Sequence, residues 1–378
     1  MASHSPDPHP SARQRLLERV RADCPRLADD IARRAVAEIP DYGGTAAADL
    51  VPVTSAMLRQ ILDALSEQRD PSAAELTAFA EYGRLRAHQR ISLEGVLRAW
   101  RMSIRRLLEE FDSVATDSGS DDHLLLGLTR ETLDLVDSAI LAFSTGHREV
   151  ELERAGRDRQ DRADFTRALL LGTLTATDLR QRAPAYGLDV DHDYRAFRTH
   201  ATADLFPADL VRHLRPFSLT TIDGDLAGIT DRTPEFAVPF ALAFGPPARP
   251  QRLDHSFRLA SRTLTTARTF GLTGPHDFDD LGLLPAVLAD PDLGAELARR
   301  YLTPLGHGDA ATILTDTVEC YLDTGLRIDA TAQRLIVHPN TVRYRIGRFE
   351  HLTGSDLRRA HIGAEVWWAI HYRKANPG

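Results

Sequence analysis

Close to the end of the chain, several side chains that could meet a polyanion crowd into one short stretch: His338, Asn340, Thr341, Arg343, Tyr344, Arg345 and Arg348. Hydrogen-bonding side chains beside arginine forks are the chemistry that reads base edges and holds phosphates. Asn340 and Thr341 would reach bases or phosphate from a helix start. Arg343 is the best candidate for guanine or phosphate, and Arg348 and His338 for phosphates. Of Tyr344 and Arg345, adjacent in the chain, one must turn partly inward; Arg345 is expected to touch backbone or a salt bridge.

The surroundings must form two short helices to position this set. Asp329 can cap the first, and Ala332 and Leu335, three apart, would face inward together. Pro339 suits the first position of the second, where its missing N–H costs nothing. From there Val342, Ile346 and Phe349 recur at four and three residues, one apolar stripe with the polar set left on the remaining surface. An ordinary amphipathic helix pair would show the same stripe. Charge favours the polyanion reading: residues 330–349 hold four arginines and no acid in a chain of net charge −8. Overall acidity would repel nucleic acid, so a local basic window carries weight.

The segment from about Thr312 to Lys374 resembles the C-terminal helix-turn-helix of PucR/CdaR-type bacterial transcription regulators. The likeness rests on Ala332, Leu335, Val337-His338, Asn340-Thr341-Val342 and Tyr344-Arg345. It continues through His351-Leu352-Thr353-Gly354-Ser355-Asp356-Leu357, with Ile313 to Gly325 as the approach helix. It implies a sequence-specific regulator of transcription, double-stranded DNA as partner, and a homodimer or higher homo-oligomer under an unknown small-molecule effector. Two recognition helices would then lie about 34 Å apart.

With 378 residues the chain has room for two or three domains, and its 26% charged and 43% hydrophobic composition is that of a soluble protein. No apolar run approaches the roughly 20 residues of a membrane span. The polar start, residues 1–10, reads as a disordered tail without an export signal, so a cytoplasmic location is expected. Cys24 and Cys320 should pack in helices rather than pair. Lys374 is the only lysine among 46 basic residues. The arginines are spread along the chain, which fits codon usage better than one phosphate patch.

The expected fold is mainly α and multidomain. Residues 11–147 read as a helical bundle with helices at 11–22, 25–39, 47–68, 72–88, 92–115 and 121–157. Ser72 and Glu75 make a capping box, and Ile91 and Val96 a hydrophobic staple around Ser92. The segment Tyr82 to Arg101 resembles the RsbRD-type N-terminal domain of some such regulators, which implies a globin-like sensing or assembly domain. His88 there is a polar helix-end residue rather than a haem ligand, and Trp100 belongs to the core. Residues 148–164 carry five arginines and six acids, which suits an exposed linker helix or a short coiled coil.

Residues 165–300 change to a small α+β pattern. Helices are expected at 165–174, 178–186, 207–214 and 253–270, and strands at 194–201, 218–222, 225–230 and 237–244. Asp223-Gly224 marks a hairpin, and Gly274-Pro275 reads as loop. This part resembles the GGDEF-like middle domain of the same regulators. True diguanylate cyclases carry a Gly-Gly-acid-Glu-Phe motif on such a hairpin, where here Ile222-Asp223-Gly224-Asp225-Leu226 stands. Asp223 and Asp225 could bind a cation, but turn chemistry explains them. The middle domain is therefore expected to be non-catalytic, with no catalytic residue, cofactor or metal ligand in the chain. The helix-turn-helix domain is expected over 305–378. A cyclase-type signalling enzyme and a stress-complex-like interaction protein are the alternatives.

Overall fold

The computed structural model describes residues 11–118, 122–200, 214, 218–232 and 238–377. It divides into two compact units, 1–159 and 160–378. Among the described residues there are thirteen α-helices and one five-stranded sheet. No helix among them is long and apolar enough to cross a membrane. The expected tail at 1–10, and the expected helix at 207–214 except for Leu214, lie outside the described residues.

The first unit is helical. It contains α1 (Ala12–Glu38), α2 (Ala47–Glu67), α3 (Ala73–His88), α4 (Leu93–Ser118) and most of α5 (Asp122–Leu170). Two helices were expected where α1 runs unbroken through Pro25. An internal proline costs a helix about 3 kcal/mol. The surrounding Val20, Cys24, Leu27 and Ala28 are fully buried, and four buried apolar groups outweigh that loss. The Ser72–Glu75 capping box forms. Ser92 caps α4 through the Gly95 N–H at 3.0 Å, with Ile91 and Val96 both buried. α3 and α5 touch backbone to backbone: a Cβ on Gly83 would sit 2.0 Å from the Phe143 carbonyl oxygen, and one on Gly146 2.0 Å from that of Ala80. Only glycine permits that approach. Beside it the buried His147 places Nε2 2.8 Å from the Ile91 carbonyl.

The expected linker at 148–164 is not a separate element: α5 is one helix through it. Alternating charges at helical spacing support a largely solvated helix there, with Val150 the one buried apolar residue.

In the second unit, after α6 (Ala176–Arg182), the strands are β1 (Arg195–Thr199), β2 (Ser218–Ile222), β3 (Asp225–Thr230), β4 (Ala241–Phe244) and β5 (Gly274–Asp277). Their order is β2-β3-β1-β4-β5. All pairings are antiparallel except β4 with β5. Helix α7 (Leu253–Thr269) connects that parallel pair, as a parallel pair requires. β5 corrects the loop expected at Gly274-Pro275: an edge strand tolerates a proline that offers no N–H. Asp223 and Gly224 both take positive φ, 52° and 82°, in a two-residue hairpin. Asp225 is held by Arg198, Nε to Oδ2 at 3.0 Å, and by His200 at 2.8 Å.

The chain continues through α8 (Leu284–Ala289), α9 (Pro291–Tyr301), α10 (Asp309–Asp323), α11 (Ile328–Leu335), α12 (Pro339–Thr353) and α13 (Ala360–Ala375). The last core begins earlier than residue 305: Leu297, Tyr301 and Leu302 pack with Val318, Val342, Phe349 and Val366. α9 and α13 cross so closely that a Cβ on Gly294 would meet the Tyr372 ring at 2.2 Å. The Tyr301 hydroxyl donates to Glu365. Burial and that carboxylate push the Tyr301 pKa up to about 12.

Candidate nucleic-acid interface

α11 and α12 are joined by Ile336, Val337 and His338. The Val337 N–H returns to the Ala332 carbonyl at 3.0 Å and the Ile336 N–H to Gln333 at 3.3 Å, the two bonds of a Schellman ending. Ile336 consequently takes φ 54° and ψ 48°, with its side chain 92% exposed. A β-branched residue is unfavourable in that left-handed region, where glycine is the usual occupant.

Asp329 does not cap α11. Arg327 holds the cap position and makes no side-chain bond there, while Asp329 lies two residues on, in the first turn. Its charge still favours the helix N-terminus through the dipole. Pro339 does open α12, and the cap before it is His338, whose Nδ1 accepts the Asn340 N–H at 3.2 Å. A ring accepting at Nδ1 carries its proton on Nε2, so an exposed donor remains. The first turn of α12 holds no acid, and its positive end is open to anions.

The inward face is Val342, Ile346 and Phe349, all buried, with Ala332 buried opposite and Leu335 half-buried. On the other face His338, Asn340, Arg343, Tyr344 and Arg348 are exposed and Thr341 is half-buried. Arg343 Nη1 donates to Asn340 Oδ1 at 2.8 Å, so these two form one unit on the surface. Arg345 is the inward member of its pair: Nη1 reaches Thr317 Oγ1 on α10 at 3.3 Å. Its partner is a buried hydroxyl, not the backbone or acid anticipated. Tyr344 stands 72% exposed. Gly354, at φ 66°, ends α12, and Leu357 is buried just beyond with its N–H on Glu350 Oε1 at 3.0 Å.

The exposed face of α12 carries its arginines without acids beside them. Arginines elsewhere repeatedly meet acids, as in Arg26–Glu110, Arg69–Glu75 and Arg249–Asp193. Among the described residues no carboxylate pairs with Arg343 or Arg348, whereas Arg334 meets Asp323 at 3.8 Å.

Sequence reasoning missed Ile336 and the cap role of His338. A bulky residue in place of the usual helix-ending glycine was the available signal for the first. For the second there was none, because histidine is not a habitual cap.

Two family models match the chain. The PucR C-terminal helix-turn-helix domain covers residues 314–372, and the N-terminal domain of the RsbT co-antagonist protein RsbRD covers residues 25–162. An uncharacterized protein of Mycobacterium tuberculosis is 43% identical over 76 residues, 20% of this chain and 18% of that one. One from Haemophilus influenzae is 36% identical over 111 residues, 28% of each chain. The chain thus spans less than a third of the length of these relatives. The crystal structure of a regulator of polyketide synthase expression from Bifidobacterium adolescentis aligns with 56% of this chain and 96% of its own, at 22% identity and a TM-score of 0.25. The turn geometry and the C-terminal match define a helix-turn-helix protein. The chain carries an RsbRD-type N-terminal domain ahead of that PucR-type helix-turn-helix domain.

Proposed function

We propose that the chain is a sequence-specific DNA-binding regulator of transcription whose α12 enters the major groove. The observation that carries this is the pair Arg343 and Arg348, solvent-exposed and without carboxylate partners among the described residues of an acidic chain. Asn340 and Arg343 would face base edges. Thr341, Tyr344, Arg348 and the Nε2–H of His338 would line the backbone, and Arg345 would brace α12 on α10. Rigid seating matters, since a base contact needs side chains placed by a fixed helix.

The reading includes a homodimer. Leu126, Leu133, Leu141 and Leu152 on α5 are exposed, and their spacings of seven, eight and eleven keep them on one side of the helix. Self-association through that stripe would pair two copies of α12. The unit of residues 1–159 would receive a signal and set that geometry, in a soluble cytoplasmic protein. The cyclase-type alternative draws no support from the hairpin, because Arg198 and His200 already engage the carboxylate of Asp225.

Selection of duplexes from random sequence by the full chain, followed by footprinting, tests this reading. Two protected half-sites one helical turn apart are expected. Failure to enrich any sequence over the starting pool would overturn it.

A further inference from the structure

The bundle of the first unit does not close completely. A cavity of about 70 Å³ remains among its helices, walled by Ile31, Met57, Leu58, Val96, Trp100 and Phe143. Four polar side chains also line it: Thr54, Ser103, Tyr42 and Arg86. Two are already satisfied, Thr54 Oγ1 by the Leu50 carbonyl at 2.9 Å and Ser103 Oγ by that of Ala99 at 2.8 Å.

Arg86 is the anomaly. It is 5% exposed, and its side chain makes one hydrogen bond, Nη1 to the neutral Gln89 Oε1 at 2.8 Å. The guanidinium carbon lies 6.0 Å from the centre of the buried Tyr42 ring. No acid among the described residues pairs with it. Other arginines with largely covered side chains do have one: Arg13 meets Glu131, Arg106 meets Asp30, and Arg198 meets Asp225. Burial pulls the Arg86 pKa down and the phenol of Tyr42 up. A buried cation without a counter-charge is costly, and an anion bound beside it would offset that cost.

The surrounding wall says which anion. It is apolar apart from the groups named, so an inorganic anion would leave most of it uncovered. A carboxylate with a hydrophobic body would satisfy both parts, its two oxygens matching the guanidinium fork. The void alone holds about two waters at roughly 30 Å³ each. Met57, unbranched and adaptable, supplies a wall that can yield to a small ring.

We propose that this cavity binds a small apolar carboxylate, aromatic or short aliphatic, whose head group pairs with Arg86 and the Tyr42 hydroxyl and whose body lies against Trp100 and Phe143. This deepens the reading of residues 1–159 as the signal-receiving unit and rests on it for regulatory meaning. Binding itself is read without DNA, so failure of the DNA reading would be seen separately.

Isothermal calorimetry on the full chain tests the proposal with benzoate, its neutral isostere benzamide, and acetate, which has the head group alone. Benzoate should bind saturably and at least about tenfold tighter than either control. Arg86→Met should lose that preference. Ala99→Leu, which fills the cavity and leaves the guanidinium in place, should also lose benzoate, and decides the matter if Arg86→Met does not fold. Absence of saturable heat at millimolar benzoate, phenylacetate and octanoate would overturn the site. So would benzoate binding that survives either substitution.

Discussion

Both units hold arginine without a balancing acid, and they hold it in opposite surroundings. Arg86 is enclosed by the apolar interior of the helical bundle, while Arg343 and Arg348 stand in solvent on one helix. An enclosed guanidinium can be met only by something small enough to be enclosed with it. An exposed pair on a rigid helix suits a large, repeating anion. The same residue type therefore implies two kinds of partner, and burial decides between them.

The comparison can be broken by removing the scaffold on one side only. Phe349 is fully buried on the inner face of α12. Phe349→Ala should cost the second unit about 3–5 kcal/mol, seen as an early transition in urea followed by Trp367 and Trp368 fluorescence. The transition of the first unit should hold its place. Removing the charge instead of the scaffold sharpens the contrast. Arg343→Ala should leave the unfolding midpoint unchanged and cost about 1–3 kcal/mol of affinity for a selected duplex, with discrimination relaxed at one base pair. Anisotropy titrations on matched and mismatched duplexes measure both.

A smaller effect is expected at the turn. Ile336→Gly should raise stability by about 0.5–1 kcal/mol, because glycine relieves the left-handed strain but adds unfolded-state freedom. Thermal melts of the two proteins give the sign. The smallest effect lies back in the first unit. Arg69 and the Ser72 cap hold the Glu75 carboxyl down to about 2, from an ordinary 4.5. A depressed folded-state pKa contributes stability that is fully present above the ordinary value and is lost as pH falls towards 2. Glu75→Gln should flatten that part of the melting-temperature profile between pH 4.5 and about 2.

Much of α12 was legible because one residue pattern served two purposes. Val342, Ile346 and Phe349 repeat at helical spacing, so the leftover surface had to be the polar one. Strands β2 and β3 were legible to the residue because Asp223-Gly224 fixes the turn, and the turn fixes the register. β5 was not, since its Gly274-Pro275 start looks like punctuation until β4 pairs beside it. The join at Pro25 was hidden for a related reason: tertiary burial, which no local rule shows, overrode the breaker. Leu297 and Tyr301 pack into the last core from ahead of residue 305, a tertiary contact that no local pattern shows.

Arg86 illustrates a signal that was present and passed over. Phe79, Gly83 and Arg86 follow at four and three residues, so the arginine falls on the buried stripe of α3. His88, the more conspicuous residue in the sequence, stands exposed at the end of that helix. Helical periodicity predicts burial without regard to residue type, and a charge on an apolar stripe is the informative exception.

The central claim is that α12 meets duplex DNA through its unpaired arginines. Salt-dependent anisotropy of the full chain and of the Arg343→Ala/Arg348→Ala double variant, on a selected duplex, tests it most directly. The account predicts that the double variant binds more weakly at every salt concentration and that the slope of log affinity against log salt falls by about one for each phosphate contact removed. Equal affinity and equal slope for the two proteins would contradict it.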